Sequence, residues 1–106
     1  MRLVVETPEI RVRFGSIAAA IRTYRCILNQ HPLGAVLDGN DAFFVDLAFL
    51  HHPAFEEKVA GRSISHYEIH PNKGGSRCFY AAFADGRMVD FSYKKCVANF
   101  PPENPS

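Results

Sequence analysis

The stretch from residue 76 to residue 96 constrains the fold most, because two short apolar, aromatic-rich runs flank Asp85-Gly86 in it. An Asp-Gly pair between alternating apolar runs is the strongest short-range signal for a β-hairpin. With Asp85 and Gly86 as the two loop residues, Ala84 faces Arg87 and the pairs along the hairpin follow, whereas a longer turn changes every pair. We therefore predict an antiparallel hairpin that forms one side of a small sheet.

Alternation along the two strands divides the hairpin side chains between two faces. The face predicted to pack against the core is apolar and carries two tyrosines: Cys78, Tyr80, Ala82, Val89, Phe91 and Tyr93. The face predicted to be wetter mixes aromatic and charged residues: Arg77, Phe79, Ala81, Phe83, Met88, Asp90, Ser92 and Lys94. A ligand of the hairpin is therefore expected on the second face.

The N-terminal part of the chain predicts one strand followed by one helix. Residues 1–6 are open to either a short strand or a loose arm. Residues 9–14 alternate apolar side chains with arginine, as in a half-buried strand. Ser16 is then the expected N-cap of a helix over residues 17–29, which carries an apolar stripe.

A second helix is expected to begin with Asn40 or Asp41 as its cap and to run toward His51. It is apolar nearly all the way round, which is typical of a helix that is deeply buried or covered on two sides. Val45 and Phe49 then point away from the sheet, where either this chain or a second copy of it covers them.

The rest of the chain completes an α+β arrangement. Residues 64–70 predict a strand before the hairpin, and residues 99–106, with three prolines and no periodicity, predict a disordered tail. The order β-α-α-β-β-β predicts an antiparallel sheet of about four strands with two helices packed on one face. We expect a single domain over residues 1–98.

Positive charge is concentrated toward the two ends of the chain, although the formal net charge is only +1. Residues 1–31 contain five arginines against two glutamates, and residues 73–96 contain five basic residues against two aspartates. If the two segments meet in one sheet, a basic surface arises that the net charge conceals.

Cysteine usage and hydropathy bear on where the protein resides. The three cysteines are widely spaced and form no Cys-x-x-Cys, which favours free thiols in a reducing compartment. No apolar run has the length of a membrane span. The sequence therefore predicts a soluble cytoplasmic protein with no membrane contact.

Several short motifs follow one another in the order found in a known family. They are Phe14-Gly15-Ser16, Ile27-Leu28-Asn29, His52-Pro53, Lys58 before Gly61, Arg77-Cys78-Phe79, Asp85-Gly86 and residues 90–96. On these motifs the chain resembles the domain of unknown function typified by the plant "defective chloroplasts and leaves" (DCL) protein. A similar domain lies at the C-terminus of the largest subunits of plant-specific RNA polymerases, and bacteria carry it alone. The resemblance implies a bacterial protein associated with RNA metabolism, since the plant protein acts in plastid ribosomal RNA processing, and it implies no known reaction.

A mixture of aromatic and basic side chains on the hairpin favours contact with single-stranded or ribosomal RNA. The candidate residues are Arg77, Phe79, Lys94 and Lys95, joined by Arg11 and Arg13 if the first strand is adjacent. The alternative is a protein-interaction or homodimerisation module that uses Val45 and Phe49 on the second helix.

Catalytic and metal-binding chemistry finds little support in the sequence. His66 and His70 share a strand face with Glu68 but lie about 13 Å apart along the strand, too far to chelate one ion comfortably. Cys26, expected to be exposed one turn after Arg22, has no histidine placed beside it for a nucleophilic pair. We therefore expect surface histidines, no metal, no cofactor and a non-enzymatic role, and the sequence leaves the reactivity of Cys26 open.

Overall fold

The computed structural model describes residues 2–6 and 11–103. Within them the chain forms β1 (Leu3–Glu6), β2 (Arg11–Phe14), α1 (Ile17–Gln30), α2 (Gly39–Leu50), α3 (Phe55–Val59), β3 (Ile64–Pro71), β4 (Arg77–Phe83), β5 (Met88–Phe91) and α4 (Tyr93–Ala98). The predicted α+β class is confirmed. None of the helices in these residues has the length and apolarity to span a bilayer.

The strands form two antiparallel sheets rather than one sheet of about four strands. β2 pairs with β1, with Val5 opposite Val12, so residues 3–6 are a strand and β2 does not reach the hairpin. β3, β4 and β5 form a separate sheet in that order. The prediction of a single sheet is wrong because the N-terminal strand supplies a local partner for β2. Residues 9 and 10 of the predicted strand lie outside the described residues.

The segment after α4 is an ordered part of the domain up to residue 103. Val4 donates its N–H to the Pro101 carbonyl at 3.0 Å, which places this segment along the free side of β1. Phe100 is 4% exposed and stacks on Phe14 with a centroid separation of 5.8 Å. The predicted disordered tail is therefore wrong for residues 99–103, and residues 104–106 lie outside the described residues.

The predicted hairpin forms, but its loop has three residues instead of two. The Phe83 N–H donates to the Arg87 carbonyl at 2.8 Å, and the Phe83 carbonyl accepts from the Gly86 N–H at 3.0 Å. Gly86 has a φ of 87°, the left-handed residue of a three-residue hairpin loop. Phe79 consequently pairs with Phe91 and not with Ser92.

This slip of one residue exchanges the two faces of β4. Phe79, Ala81 and Phe83 are buried and join Phe91 in the core. The prediction that these three side chains lie on the wetter face is wrong, whereas the inward direction of Phe91 is confirmed. Cys78, Tyr80 and Ala82 lie on the opposite face, away from the core helices.

The hairpin strand was predicted to continue to residue 96 but ends at Phe91. Ser92 follows as the N-cap of α4, with its Oγ accepting from the Lys95 N–H at 3.4 Å. Lys94 and Lys95 therefore lie on the first turn of a short helix rather than on a strand.

α1 begins at the predicted N-cap, whereas α2 turns a different face toward the sheet than predicted. In α1, Ser16 Oγ accepts from the Ala19 N–H at 3.0 Å, so the predicted N-cap is confirmed. In α2, Val45 and Phe49 are 0% exposed, and the Phe49 ring stacks on Phe91 at 4.5 Å. The prediction that Phe49 points away from the sheet is wrong, because its ring meets Phe91 of β5, whereas the alternative that this same chain covers it is confirmed by Phe55, whose ring lies 5.1 Å from that of Phe49.

Candidate nucleic-acid interface

A groove of about 270 Å³ lies where the start of β4, the end of β5, α4 and the last turn of α1 meet. We call it the basic groove, and it is lined by Leu28, Asn72, Arg77, Cys78, Phe79, Phe91, Ser92, Tyr93 and Lys94. Among the described residues, the lining contains two cations and no carboxylate. The basic groove thus brings together Arg77 and Lys94, two of the residues proposed from the sequence.

Arg77 is held in place by the end of α1. Its Nη1 donates to the His31 carbonyl at 2.7 Å and lies 3.5 Å from the Leu28 carbonyl. These carbonyls belong to the last turn of α1 and its C-cap, where helical carbonyls lack intrahelical partners. A guanidinium carries five N–H donors, and the other donors of Arg77 have no partner in the part of the chain that the structure describes, so they can meet an anion in the groove. The contact with α1 orients a charge that stays available.

Two further exposed cations lie close in sequence to residues that line the basic groove. Lys95 follows Lys94 on α4 and is exposed. Arg25 is exposed and lies three residues before Leu28, which places it on the same side of α1, one turn earlier. Arg25 was absent from the residues predicted from sequence. Once Leu28 is known to line the groove, the three-residue spacing of Arg25 from Leu28 indicates Arg25 as a further candidate.

Phe79 forms part of the floor of the basic groove. It is 1% exposed, and its ring lies 6.0 Å from that of Phe91 and 6.1 Å from that of Tyr93, measured between centroids. A ring covered on all sides offers no face for a nucleic-acid base. The expectation that Phe79 is exposed for stacking is therefore wrong, and the residue supports the groove from within.

Arg11 and Arg13 lie in a different groove, on the β1–β2 sheet. This second groove, of about 550 Å³, is lined by Val4, Glu6, Arg11, Arg13, His51, Pro101, Pro102 and Glu103. Arg11 pairs with Glu6 at 2.7 Å and Arg13 with Glu103 at 3.5 Å. The structure does not bring these arginines together with the hairpin cations, because the two basic segments belong to separate sheets.

The side of the β3–β4–β5 sheet that faces away from the core is called the outer sheet face. It carries His66, Glu68, His70, Cys78, Tyr80, Ala82, Met88 and Asp90. Glu68 accepts from His70 Nε2 at 2.8 Å and from His66 Nε2 at 2.5 Å. The hydrogen bond from His70, followed by that from His66, holds the pKa of Glu68 below its ordinary value.

The histidines on this face are therefore engaged with a carboxylate. Among residues 2–6 and 11–103, no group of three or more His, Cys, Asp or Glu side chains is arranged to hold a metal ion.

The three cysteines differ in their environment. Cys26 is exposed, as predicted, Cys78 is half-buried, and Cys96 is buried. Burial raises the pKa of Cys96 to about 12 and raises the pKa of Cys78 above its ordinary value. The thiolate is the nucleophilic form of cysteine, so the thiol in the basic groove, Cys78, is poorly suited to attack a substrate.

Comparison with known proteins links the basic groove to a family. A family model described as "protein of unknown function (DUF3223)" matches residues 25–97. This range contains every lining residue of the basic groove as well as Arg25 and Lys95, whereas Arg11 and Arg13 fall outside it.

Three curated plant proteins share parts of this sequence. DNA-directed RNA polymerase V subunit 1 of Arabidopsis thaliana is 31% identical over 103 residues, which is 93% of this chain and 5% of that protein. The chloroplastic DCL homolog of Arabidopsis thaliana is 36% identical over 55 residues, 50% of this chain and 25% of that protein. The chloroplastic DCL protein of Solanum lycopersicum is 34% identical over 56 residues, 51% of this chain and 25% of that protein. The chain thus spans a quarter or less of each.

A solved structure shares the fold. The solution NMR structure of an uncharacterized protein from Rhodospirillum rubrum superposes with a TM-score of 0.72 at 29% sequence identity. The match covers 80% of this chain and 81% of the other.

Proposed function

Since the chain belongs to the DUF3223 family of proteins of unknown function, we propose its role from its site: a non-enzymatic domain that binds RNA through the basic groove. The resemblance to the DCL proteins is confirmed by the same match and by the plant relatives. One relative is named as a subunit of an RNA polymerase, which supports the proposal that the partner of this chain is a nucleic acid. The observation that carries the proposal is a groove whose lining holds cations and no carboxylate.

The contrast between the two grooves is the physical argument. In the groove at β2 each arginine is paired with a glutamate, so a phosphate there must displace an ion pair. In the basic groove, the hydrogen bonds of the Arg77 side chain to residues 2–6 and 11–103 go only to backbone carbonyls. Within the described residues no carboxylate pairs with Lys94. A phosphate that binds there gains attraction without breaking an existing pair.

A non-enzymatic role fits the chemistry of the basic groove. Covalent catalysis by cysteine needs a thiolate, usually activated by a neighbouring base. Burial raises the pKa of Cys78, and the carboxylate of Asp90 adds to that effect. The groove is therefore equipped to hold an anion rather than to attack one.

The alternative role, a protein-interaction or homodimerisation module, requires Val45 and Phe49 to be exposed at the surface. Both side chains are 0% exposed, so neither can be presented to a partner without unfolding α2.

The test is a fluorescence-anisotropy titration of labelled single-stranded RNA at two salt concentrations. If Arg25, Arg77, Lys94 and Lys95 each neutralise a phosphate, log K falls with log salt concentration with a slope near −3, at about 0.7 per contact. Lys94→Ala is expected to weaken binding and to reduce that slope by about 0.7.

Arg11→Ala is the matched control, since it also removes one exposed cation, and it is expected to leave both affinity and slope unchanged. No binding at either salt concentration, or equal losses in the two variants, would remove the proposal.

A further inference from the structure

The outer sheet face is continuous with the basic groove through Cys78, which belongs to the face and also lines the groove. Tyr80 lies two residues further along β4 on the same face and is partly exposed. Two residues of a strand span about 7 Å, so the Tyr80 ring lies within reach of a nucleotide whose phosphate occupies the groove.

The Tyr80 ring is held in one orientation by its neighbours. Its hydroxyl donates to the Pro71 carbonyl at 2.9 Å. The His70 ring meets it edge-on, with centroids 5.5 Å apart and an interplanar angle of 86°, and His70 is itself bonded to Glu68 at 2.8 Å. An aromatic side chain that is already fixed loses little conformational freedom when a ligand stacks on it.

We propose that the Tyr80 ring stacks a base of single-stranded RNA whose phosphates lie in the basic groove. The inference rests on the proposed function and specifies its ligand class. Aromatic stacking is a common way to bind unpaired bases, and it tolerates sequence because every base has a π-face. In duplex RNA the bases are stacked on one another, so their faces are not offered to the ring.

Charge determines which part of the nucleotide lies where. Tyr80 is flanked across the sheet by two carboxylates, Glu68 on β3 and Asp90 on β5. These groups repel phosphate, whereas the lining of the basic groove contains cations and no carboxylate. The sugar-phosphate backbone of the RNA therefore follows Arg77 and Lys94, and its uncharged bases turn toward the outer sheet face.

The experiment compares a short single-stranded RNA with an abasic oligomer of the same length and charge, on wild type and on Tyr80 variants, at two salt concentrations. A stacked base contributes about 1–3 kcal/mol, so Tyr80→Ala is expected to weaken RNA binding roughly 5- to 150-fold. The salt slope should stay unchanged, because no phosphate contact is lost. Tyr80→Phe keeps the ring and is expected to bind close to wild type.

Two controls separate stacking from structural damage. Met88→Ala alters an exposed side chain of the same face and is expected to leave RNA affinity unchanged. The abasic oligomer tests wild-type protein directly, so the result does not depend on whether Tyr80→Ala folds. Wild type should bind the abasic oligomer more weakly than the RNA, with a similar salt slope.

The outcomes distinguish this inference from the proposed function. If wild type binds RNA and the abasic oligomer equally well with the same salt dependence, stacking is overturned and the phosphate groove stands. Tighter binding of duplex RNA than of single strands also overturns stacking. If neither oligomer binds at any salt concentration, the proposed function fails and this inference fails with it.

Discussion

Truncating Phe79 to alanine removes a ring that is 1% exposed and that packs on Phe91 and Tyr93. Loss of a fully buried phenylalanine ring costs about 3–5 kcal/mol, which combines the lost transfer free energy with the cavity left behind. A domain of this size has a total stability of about 5–15 kcal/mol. The variant is therefore expected to lose about a fifth or more of its stability, and its urea midpoint should fall by about 2 M if m is about 2 kcal/mol/M.

Urea unfolding followed by far-UV circular dichroism measures this loss, with Met88→Ala as the matched control from the same hairpin. Met88 is 44% exposed, so its truncation should change stability by less than about 0.5 kcal/mol. Phe79→Leu keeps an apolar side chain in the core, and the folded variant is expected to bind RNA like wild type. A Phe79→Ala midpoint equal to that of wild type, or a large loss of RNA affinity in folded Phe79→Leu, would refute the assignment of Phe79 to the core.

Three further predictions follow from the turn, the buried histidine and the thiols. Gly86→Ala is expected to cost about 1–2 kcal/mol in urea unfolding, because Gly86 has a φ of 87°; an unchanged midpoint would contradict it. His52 is 8% exposed, and its Nδ1 accepts a hydrogen bond from the Ala54 N–H at 3.0 Å. Burial, together with the neighbouring Lys58 and Lys95, lowers the pKa of His52 from the ordinary 6.5. The unfolded chain then binds more protons than the folded one below pH 6.5, so the unfolding free energy should fall as pH drops from about 7.5 to about 5.5. An NMR titration midpoint of His52 above 6.5 would exclude this. Ellman's reagent should modify the exposed Cys26 rapidly. The buried Cys96, whose pKa burial raises to about 12, should react only after denaturation. A rapid phase that survives in Cys26→Ser would disprove the assignment of that phase to Cys26.

Local signals in the sequence located the hairpin and the first helix. The length of the hairpin turn then decided which side chains of β4 face the core. Asp85-Gly86 predicts a hairpin equally well with two or three loop residues, and only the second choice pairs Phe79 with Phe91. Because side chains alternate along a strand, that one-residue difference reversed the predicted face of β4. The hydrophobic pattern does favour the three-residue loop, because only that register places Phe79, Ala81 and Phe83 on the apolar face of Val89 and Phe91 rather than on the face of Asp90.

The short helix α4 could have been predicted from the sequence. Tyr93, Cys96, Val97 and Phe100 follow the spacing i, i+3, i+4, i+7, and Ser92 stands before them as an N-cap. The continuous strand pattern up to Phe91 concealed this change of period.

The position of the basic residues depended on long-range pairing. Whether β2 joins the hairpin sheet or pairs with β1 is decided by residues far apart in the chain, and neither segment's own pattern expresses that choice. Arg77 and Lys94 were expected to face each other across the hairpin; they instead line one groove from β4 and α4, because both belong to the hairpin and its immediate continuation. Arg11 was placed with them only through the assumption of one sheet.

The contact between Val4 and Pro101 joins residues far apart in the sequence and has a kinetic consequence. During synthesis, β1 and β2 leave the ribosome before the segment around Phe100, so one side of β1 stays without this partner until that segment has emerged. Loop closure over such a distance is slow compared with the local steps of helix and hairpin formation. A nascent chain halted before residue 100 should therefore leave β1 and β2 open to proteases until the segment around Phe100 can pair with β1.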